Sequence, residues 1–82
     1  MQLREEILEK IIERASGLFN KSQEELNADT RLAEDLEAKS VNYSQIITFL
    51  EDEFEVEIPF MDFRRKKTLG EAAAFVEGIM EG

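Results

Sequence analysis

Leu3, Ile7, Ile11 and Ala15 recur at steps of four, with Leu8 and Ile12 beside them. That spacing draws one apolar stripe along a helix over residues 3–15. A stripe of this width has to be covered, so the chain needs further helices to pack against it. Glu5, Glu6, Glu9 and Glu13 fill much of the opposite side. Glu6 and Lys10 attract at i,i+4 while Glu9 and Glu13 repel, so side-chain charge adds little net support. Gly17 then reads as the helix stop.

Two further runs repeat the helical pattern. Residues 41–54 carry Val41, Ile46, Ile47, Phe49, Leu50 and Phe54 on a broad apolar face, and Ser40, a favoured N-cap type, stands just before them. Thr68 and Glu71 have capping-box spacing, and Leu69, Ala72, Ala73, Phe75, Val76, Ile79 and Met80 form a last helix behind them. Gly70 near its start is a mild weakness. Pro59 blocks continuation of whatever precedes it, and residues 60–67 suit one or two short turns. Between the first two helices, residues 17–39 make a long connection anchored by Leu18, Phe19, Leu26, Leu32 and Leu36. Ser22 and Glu25 there have the spacing of a capping box around a single helical turn. Loops this long in a small domain are uncommon and are often functional. The expected fold is all-α: a bundle of three main helices plus one short helix, with a long first loop, in one domain over residues 1–82.

Composition narrows the chemistry. The 82 residues hold no Cys and no His. Disulfides, thiolate metal sites and protein thiol nucleophiles are therefore absent, as are the usual general base near neutral pH and the commonest transition-metal ligand. Demanding chemistry has to come from an added group or a partner enzyme. Ten basic residues face nineteen acids, a formal charge of −9. That balance opposes a nucleic-acid partner, since phosphate binding rests on Lys and Arg. It favours solubility and encounter with basic protein surfaces. Acids at Glu5 and Glu6 do not suit a secretory signal, and no apolar run approaches the roughly 20 residues that span a bilayer. The expectation is an acidic, monomeric protein of the cytoplasm.

The stretch Glu34-Asp35-Leu36-Glu37-Ala38-Lys39-Ser40-Val41, followed by Phe49-Leu50-Glu51-Asp52-Glu53-Phe54-Glu55-Val56-Glu57-Ile58-Pro59, resembles an acyl carrier protein. That family typically shows Asp-Leu-Gly-Ala-Asp-Ser-Leu, then a helix ending in an acidic Glu-Glu-Glu-Phe segment and Ile-Pro. The spacings from Ser to Phe and from Ser to Pro fit without a gap. Opening helix, anchored loop and closing helix match too, so the resemblance covers nearly the whole chain.

The resemblance implies a carrier, not an enzyme. Its serine, by position Ser40, would accept 4′-phosphopantetheine from coenzyme A through a phosphopantetheinyl transferase. Acyl groups would then ride as thioesters on the arm, in fatty-acid or specialised lipid or polyketide synthesis. A chain without Cys would have to import its sulfur in this way, and a helix N-terminus suits a phosphodiester. Partners implied are that transferase and acyl-transferring or condensing enzymes with basic docking surfaces. Residues Lys39, Val41, Asn42, Tyr43, Gln45, Glu51 and Glu53 are the candidate docking set around and along the Ser40 helix. The departures from the family pattern fall in the same region. Lys39 stands where the family has Asp, Val41 where it has Leu, and Glu37 where it has the turn glycine. Asn42 and Gln45 are neutral where it is acidic. Fewer acids near Ser40 should weaken docking to a standard synthase, which points to a specialised pathway.

Each feature has a plainer reading beside the functional one. Ser40 as an N-cap hydroxyl is ordinary, and the matching alternative function is an unmodified, carrier-like helical interaction module. The acids at 51–57 read either as a solvated face or as a docking surface. They lack the alternating acids and glycine of a calcium loop. Arg64, Arg65, Lys66 and Lys67 read as a basic helix end with an internal electrostatic match to the acids at 51–57. The aromatic residues default to the core, with Tyr43, one turn after Ser40, either partly buried or flanking the arm. Catalysis by carboxylates has no recognisable frame of paired acids behind it.

Overall fold

A computed structural model describes residues 2–82. The elements are α1 (Leu3–Phe19), a single 3-10 turn (Gln23–Glu25), α2 (Ser40–Phe54), α3 (Phe60–Arg64) and α4 (Leu69–Glu81). Three long helices and a short one make the expected all-α bundle. Among the described residues the only β pairing is an isolated antiparallel bridge between Arg31 and Thr68.

Helix α1 buries Ile7, Ile11 and Ala15, the stripe read from the spacing. It runs two residues past Gly17, which corrects the expected stop. A Cβ on Gly17 would meet open space, so nothing there calls for glycine. Asn20 ends the helix instead, with φ 56° and ψ 47°, and its N–H donates to the Ser16 carbonyl. Asn tolerates this left-handed cap better than most residues.

Facing that stripe, α2 contributes Tyr43, Ile46, Ile47 and Leu50, α3 contributes Phe63, and α4 contributes Leu69, Ala72, Ala73 and Val76. Val41, expected on the apolar face of α2, is instead 60% exposed. Its position precedes the register that Ile46, Ile47 and Leu50 share. The long loop reaches the same core through Leu26, Leu32 and Leu36, all buried. Each such side chain contributes roughly 1.5–3 kcal/mol by leaving water, enough to hold a loop with little regular structure. Ser22 starts the 3-10 turn, although through its carbonyl, which accepts from Glu25 N–H at 3.0 Å, and not through its hydroxyl.

The loop also closes the start of α4. The N–H groups of Leu69 and Gly70 donate to the carbonyls of Thr30 (3.0 Å) and Ala28 (2.9 Å), and Leu32 N–H donates to Lys67 carbonyl at 2.9 Å. Two of the orphan donors of a helix start are thereby satisfied. Thr68 Oγ1 accepts from Glu71 N–H at 3.1 Å, as its capping-box spacing suggests. Gly70 is no weakness in this setting. A Cβ there would lie 2.9 Å from Ala28 Cβ and 3.0 Å from its carbonyl oxygen, so loop and helix approach this closely only because residue 70 has no side chain.

Candidate functional site

The start of α2 is built differently. Ser40 is the first residue of the helix, and Lys39 is its N-cap, at φ −102° and ψ 169°. This corrects the reading of Ser40 as N-cap by one position. A lysine ammonium can only donate, so it satisfies none of the helix's free N–H groups. The cap is supplied from inside the helix: Asn42 Oδ1 accepts from Lys39 N–H at 2.9 Å, and Asn42 Nδ2 donates to Gln45 Oε1 at 3.3 Å. Asn42 and Tyr43 N–H groups reach the Lys39 carbonyl at 2.9 and 3.2 Å. The N–H groups of Ser40 and Val41 are the ones that no intrahelical carbonyl can serve. Ser40 itself is exposed, and no acid lies in the first turn.

Just upstream, Glu37 adopts φ 54°, the left-handed region, at the position where the resembled family has glycine. Glycine takes this backbone without a Cβ penalty, whereas Glu carries one. Arg31 and Asp35 brace the same loop: Asp35 Oδ2 accepts from Arg31 N–H at 2.8 Å, and the Arg31 guanidinium reaches Oδ1 at 3.3 Å. The backbone N–H of Arg31, and then its guanidinium, hold the Asp35 carboxyl below the usual carboxylate range.

The seven candidate docking residues separate into distinct places. Lys39 and Val41 are exposed beside Ser40, and Asn42 and Gln45 are half-buried next to them. Tyr43 leaves this surface. It is 3% exposed, its ring set edge-on to Phe63 with centroids 6.5 Å apart and the Arg64 guanidinium 5.3 Å from its centroid. Burial pushes its phenol upward, with Arg64 pulling the other way. Glu51 is engaged within the chain, its Oε2 accepting from Ile58 N–H at 2.8 Å. Glu53 faces α1, 3.7 Å from Lys10 Nζ.

Val41 and Gln45 continue into a groove of about 480 Å3 along the outside of α2, shared with Ser44, Thr48, Phe49 and Asp52 and closed by Arg14 of α1. The Arg14 guanidinium stands 5.9 Å from the Phe49 ring centroid, and its Nε is buried without a hydrogen-bond partner. Sequence reasoning did not single out Ser44, Thr48 or Arg14. The first two were findable, since 41, 44, 45, 48 and 52 lie at helical steps along one face. Arg14 comes from another helix, and no local pattern points to it.

The basic run does not meet the acids at 51–57, which corrects the expected internal match. Arg64 lies over Tyr43, Lys66 Nζ lies 4.9 Å from the Phe75 centroid, and Arg65 reaches Asp62 at 3.8 Å. α3 directs these side chains toward α2 and α4, away from the far end of α2.

Residues 9–76 match the family described as "Phosphopantetheine attachment site". Among curated proteins, the chain is 33% identical over 73 residues to an acyl carrier protein of Lactobacillus johnsonii, covering 89% of this chain and 91% of that one. It is 36% identical over 73 residues to an acyl carrier protein of Rubrobacter xylanophilus, covering 89% and 90%. It is 30% identical over 79 residues to one from a Sulfurovum species, covering 96% and 100%. No described helix is long and apolar enough to cross a membrane.

Proposed function

The chain belongs to the acyl carrier protein family, a family of carriers and not of enzymes whose cofactor is covalent 4′-phosphopantetheine, and from that premise we propose that Ser40 is the attachment point. The observation that carries this is the position of Ser40: an exposed hydroxyl on the first residue of α2, with no acid in the first turn and the Lys39 ammonium on the preceding residue. The residues present fit the group. A phosphodiester carries negative charge, and the positive end of the helix dipole and the N–H groups of Ser40 and Val41 favour it. The group supplies the terminal thiol that a chain without Cys lacks, on which acyl cargo is carried as a thioester.

The chain's own residues hold and present that attachment. Asn42 caps α2 through Lys39, which keeps Ser40 at the helix start. The half-buried Asn42–Gln45 pair stiffens the first turn. Partner enzymes that load or use the arm approach across Lys39, Val41 and Gln45 and along the groove beside α2. With no acid in the first turn, that approach lacks the negative charge that steers a basic partner to the serine, so a dedicated transferase and a specialised acyl pathway in the cytoplasm fit this carrier better than routine fatty-acid synthesis.

Intact mass spectrometry after incubation with coenzyme A and a broad-specificity phosphopantetheinyl transferase tests the reading. The expected result is a gain of one phosphopantetheine, abolished in Ser40→Ala. No gain with either a broad-specificity or a host transferase, or a gain that survives Ser40→Ala, overturns it in favour of an unmodified interaction module.

A further inference from the structure

Outside the run at 64–67, three cations are matched by acids. Arg4 meets Glu77 at 2.8 Å, Lys10 meets Glu13 and Glu53 at 3.6 and 3.7 Å, and Arg31 meets both Glu34 and Asp35. Among the described residues Arg14, Lys21 and Lys39 make no ion pair, but they stand apart from one another, whereas the run at 64–67 gathers four cations in succession. Only Arg65 reaches a carboxylate, Asp62 at 3.8 Å, with both side chains more than half exposed. Such a pair contributes little and leaves the guanidinium available. Among the described residues, Arg64, Lys66 and Lys67 make no ion pair.

Two of these cations are nonetheless held in place. Arg64 rests over the Tyr43 ring and Lys66 over the Phe75 ring, contacts that fix an ammonium or guanidinium while leaving its N–H donors free. They point to opposite sides, Arg64 toward α2 and Lys66 toward α4. The four cations nonetheless line one concavity of about 220 Å3 with Arg31 and Tyr43, and the Glu34 carboxylate stands in the same wall.

An apolar side chain is exposed on the same short helix. Met61 is 58% exposed and, with Val41, is one of the two large apolar residues turned to solvent among the described residues. Arg64 and Arg65 follow it by three and four residues, and Arg65 keeps a right-handed helical backbone as the C-cap of α3, so all three share one face. An adaptable methionine flanked by arginines has the composition of a protein-binding surface.

We propose that the outer face of α3 docks an acidic protein partner, one that offers an apolar recess to Met61 and carboxylates to Arg64, Arg65 and Lys67. Several cations around one concavity, two of them pre-positioned on aromatic rings, suit more than one carboxylate of a folded surface. The −9 of the whole chain slows the approach of any acidic molecule, so the contact rests on the local positive charge of this face. The exposed Met61 offers an apolar contact that suits a protein surface and not a phosphate backbone. The surface works whether or not Ser40 is loaded, and it gives the molecule a positive edge within a negative whole.

The test is an amide NMR titration of the unmodified full chain with a synthetic helical peptide of Glu and Leu, beside inorganic phosphate and a uridine oligonucleotide. Saturable shifts confined to residues 60–67 are expected with the peptide alone. Affinity should fall at least about tenfold as ionic strength rises from about 0.01 to about 1 M, which shortens the screening length from about 30 to about 3 Å. Arg64→Glu combined with Arg65→Glu should abolish binding. Met61→Ser, which keeps every charge and alters only an exposed side chain, should weaken it. Saturation by phosphate alone, binding of the oligonucleotide in place of the peptide, absence of saturable shifts, or unchanged affinity in either variant overturns the proposal.

Discussion

Glu51 and Ile58 tie the end of α2 to the segment that leads into α3, through a carboxylate oxygen 2.8 Å from a backbone N–H. The Glu51 carbonyl serves the same turn, accepting from Glu55 N–H and, at 3.4 Å, from Val56 N–H. An acid near a helix C-terminus opposes the dipole, and here the bond to Ile58 offsets that. Glu51→Ala should therefore destabilise the fold by about 1–2 kcal/mol, although removal of an exposed acid from this position would otherwise stabilise. Glu51→Gln, which retains an acceptor oxygen, should lose less. Urea denaturation of the three chains measures the difference.

Gly70 reverses the ordinary helix preference. Alanine inside a helix is more favourable than glycine by about 1 kcal/mol. At this position the added methyl would sit 2.9 Å from Ala28 Cβ and 3.0 Å from its carbonyl oxygen. Overpacking of that kind costs about 1–3 kcal/mol, so Gly70→Ala is expected to lower the denaturation midpoint. Gly78→Ala, in open space on the same helix, should raise it and serves as the control.

Glu37 occupies left-handed backbone at φ 54°. A residue with a Cβ is penalised there by roughly 1–2 kcal/mol, and glycine returns part of that through its larger unfolded-state entropy. Glu37→Gly should raise stability by up to about 1 kcal/mol. Thermal unfolding tests this, and Glu37→Ala should show no such gain.

The Arg31–Asp35 brace makes part of the stability dependent on pH. Because the folded-state carboxyl is held below its unfolded value, its contribution is complete above the ordinary Asp value near about 4 and is lost as pH falls through the lower folded value. Carboxyl NMR should place the Asp35 midpoint below that of a free Asp side chain. In Asp35→Asn, the acid limb of the stability profile should be correspondingly flatter.

The three long helices were legible because each carries a repeating apolar face, and Ile7, Ile11, Ile46, Leu50, Leu69 and Val76 are buried as their spacing requires. Phosphopantetheine and the carrier family were legible from the motif around Ser40. Local chemistry misled where two residues compete for one role. Ser40 has the better side chain for a cap, yet the helix begins one residue sooner because Asn42 caps it from within. Gly17 looks like a stop, but Asn20 can take the same left-handed turn three residues past it, after Leu18 and Phe19 have packed on the core. Tyr43, Gly70 and Arg14 were not legible, since each depends on a residue far away in the chain: Phe63, Ala28 and Phe49 respectively. The direction of Arg64 and Lys66 depends likewise on Tyr43 and Phe75, which no count of charges reveals.

The three backbone bonds between the first loop and the start of α4 have a mechanical consequence. Loop and α4 are tied together, since sliding either would break bonds between Ala28, Thr30 or Leu32 and their partners at residues 67–70. By contrast, α3 is one and a half turns long and packs chiefly on α2, joined to it by the Tyr43–Phe63 edge contact. Bracing is therefore one-sided: backbone bonds lash the loop to the start of α4, while α3 is held to α2 by side-chain packing, and Ser40 opens the helix that carries that softer joint.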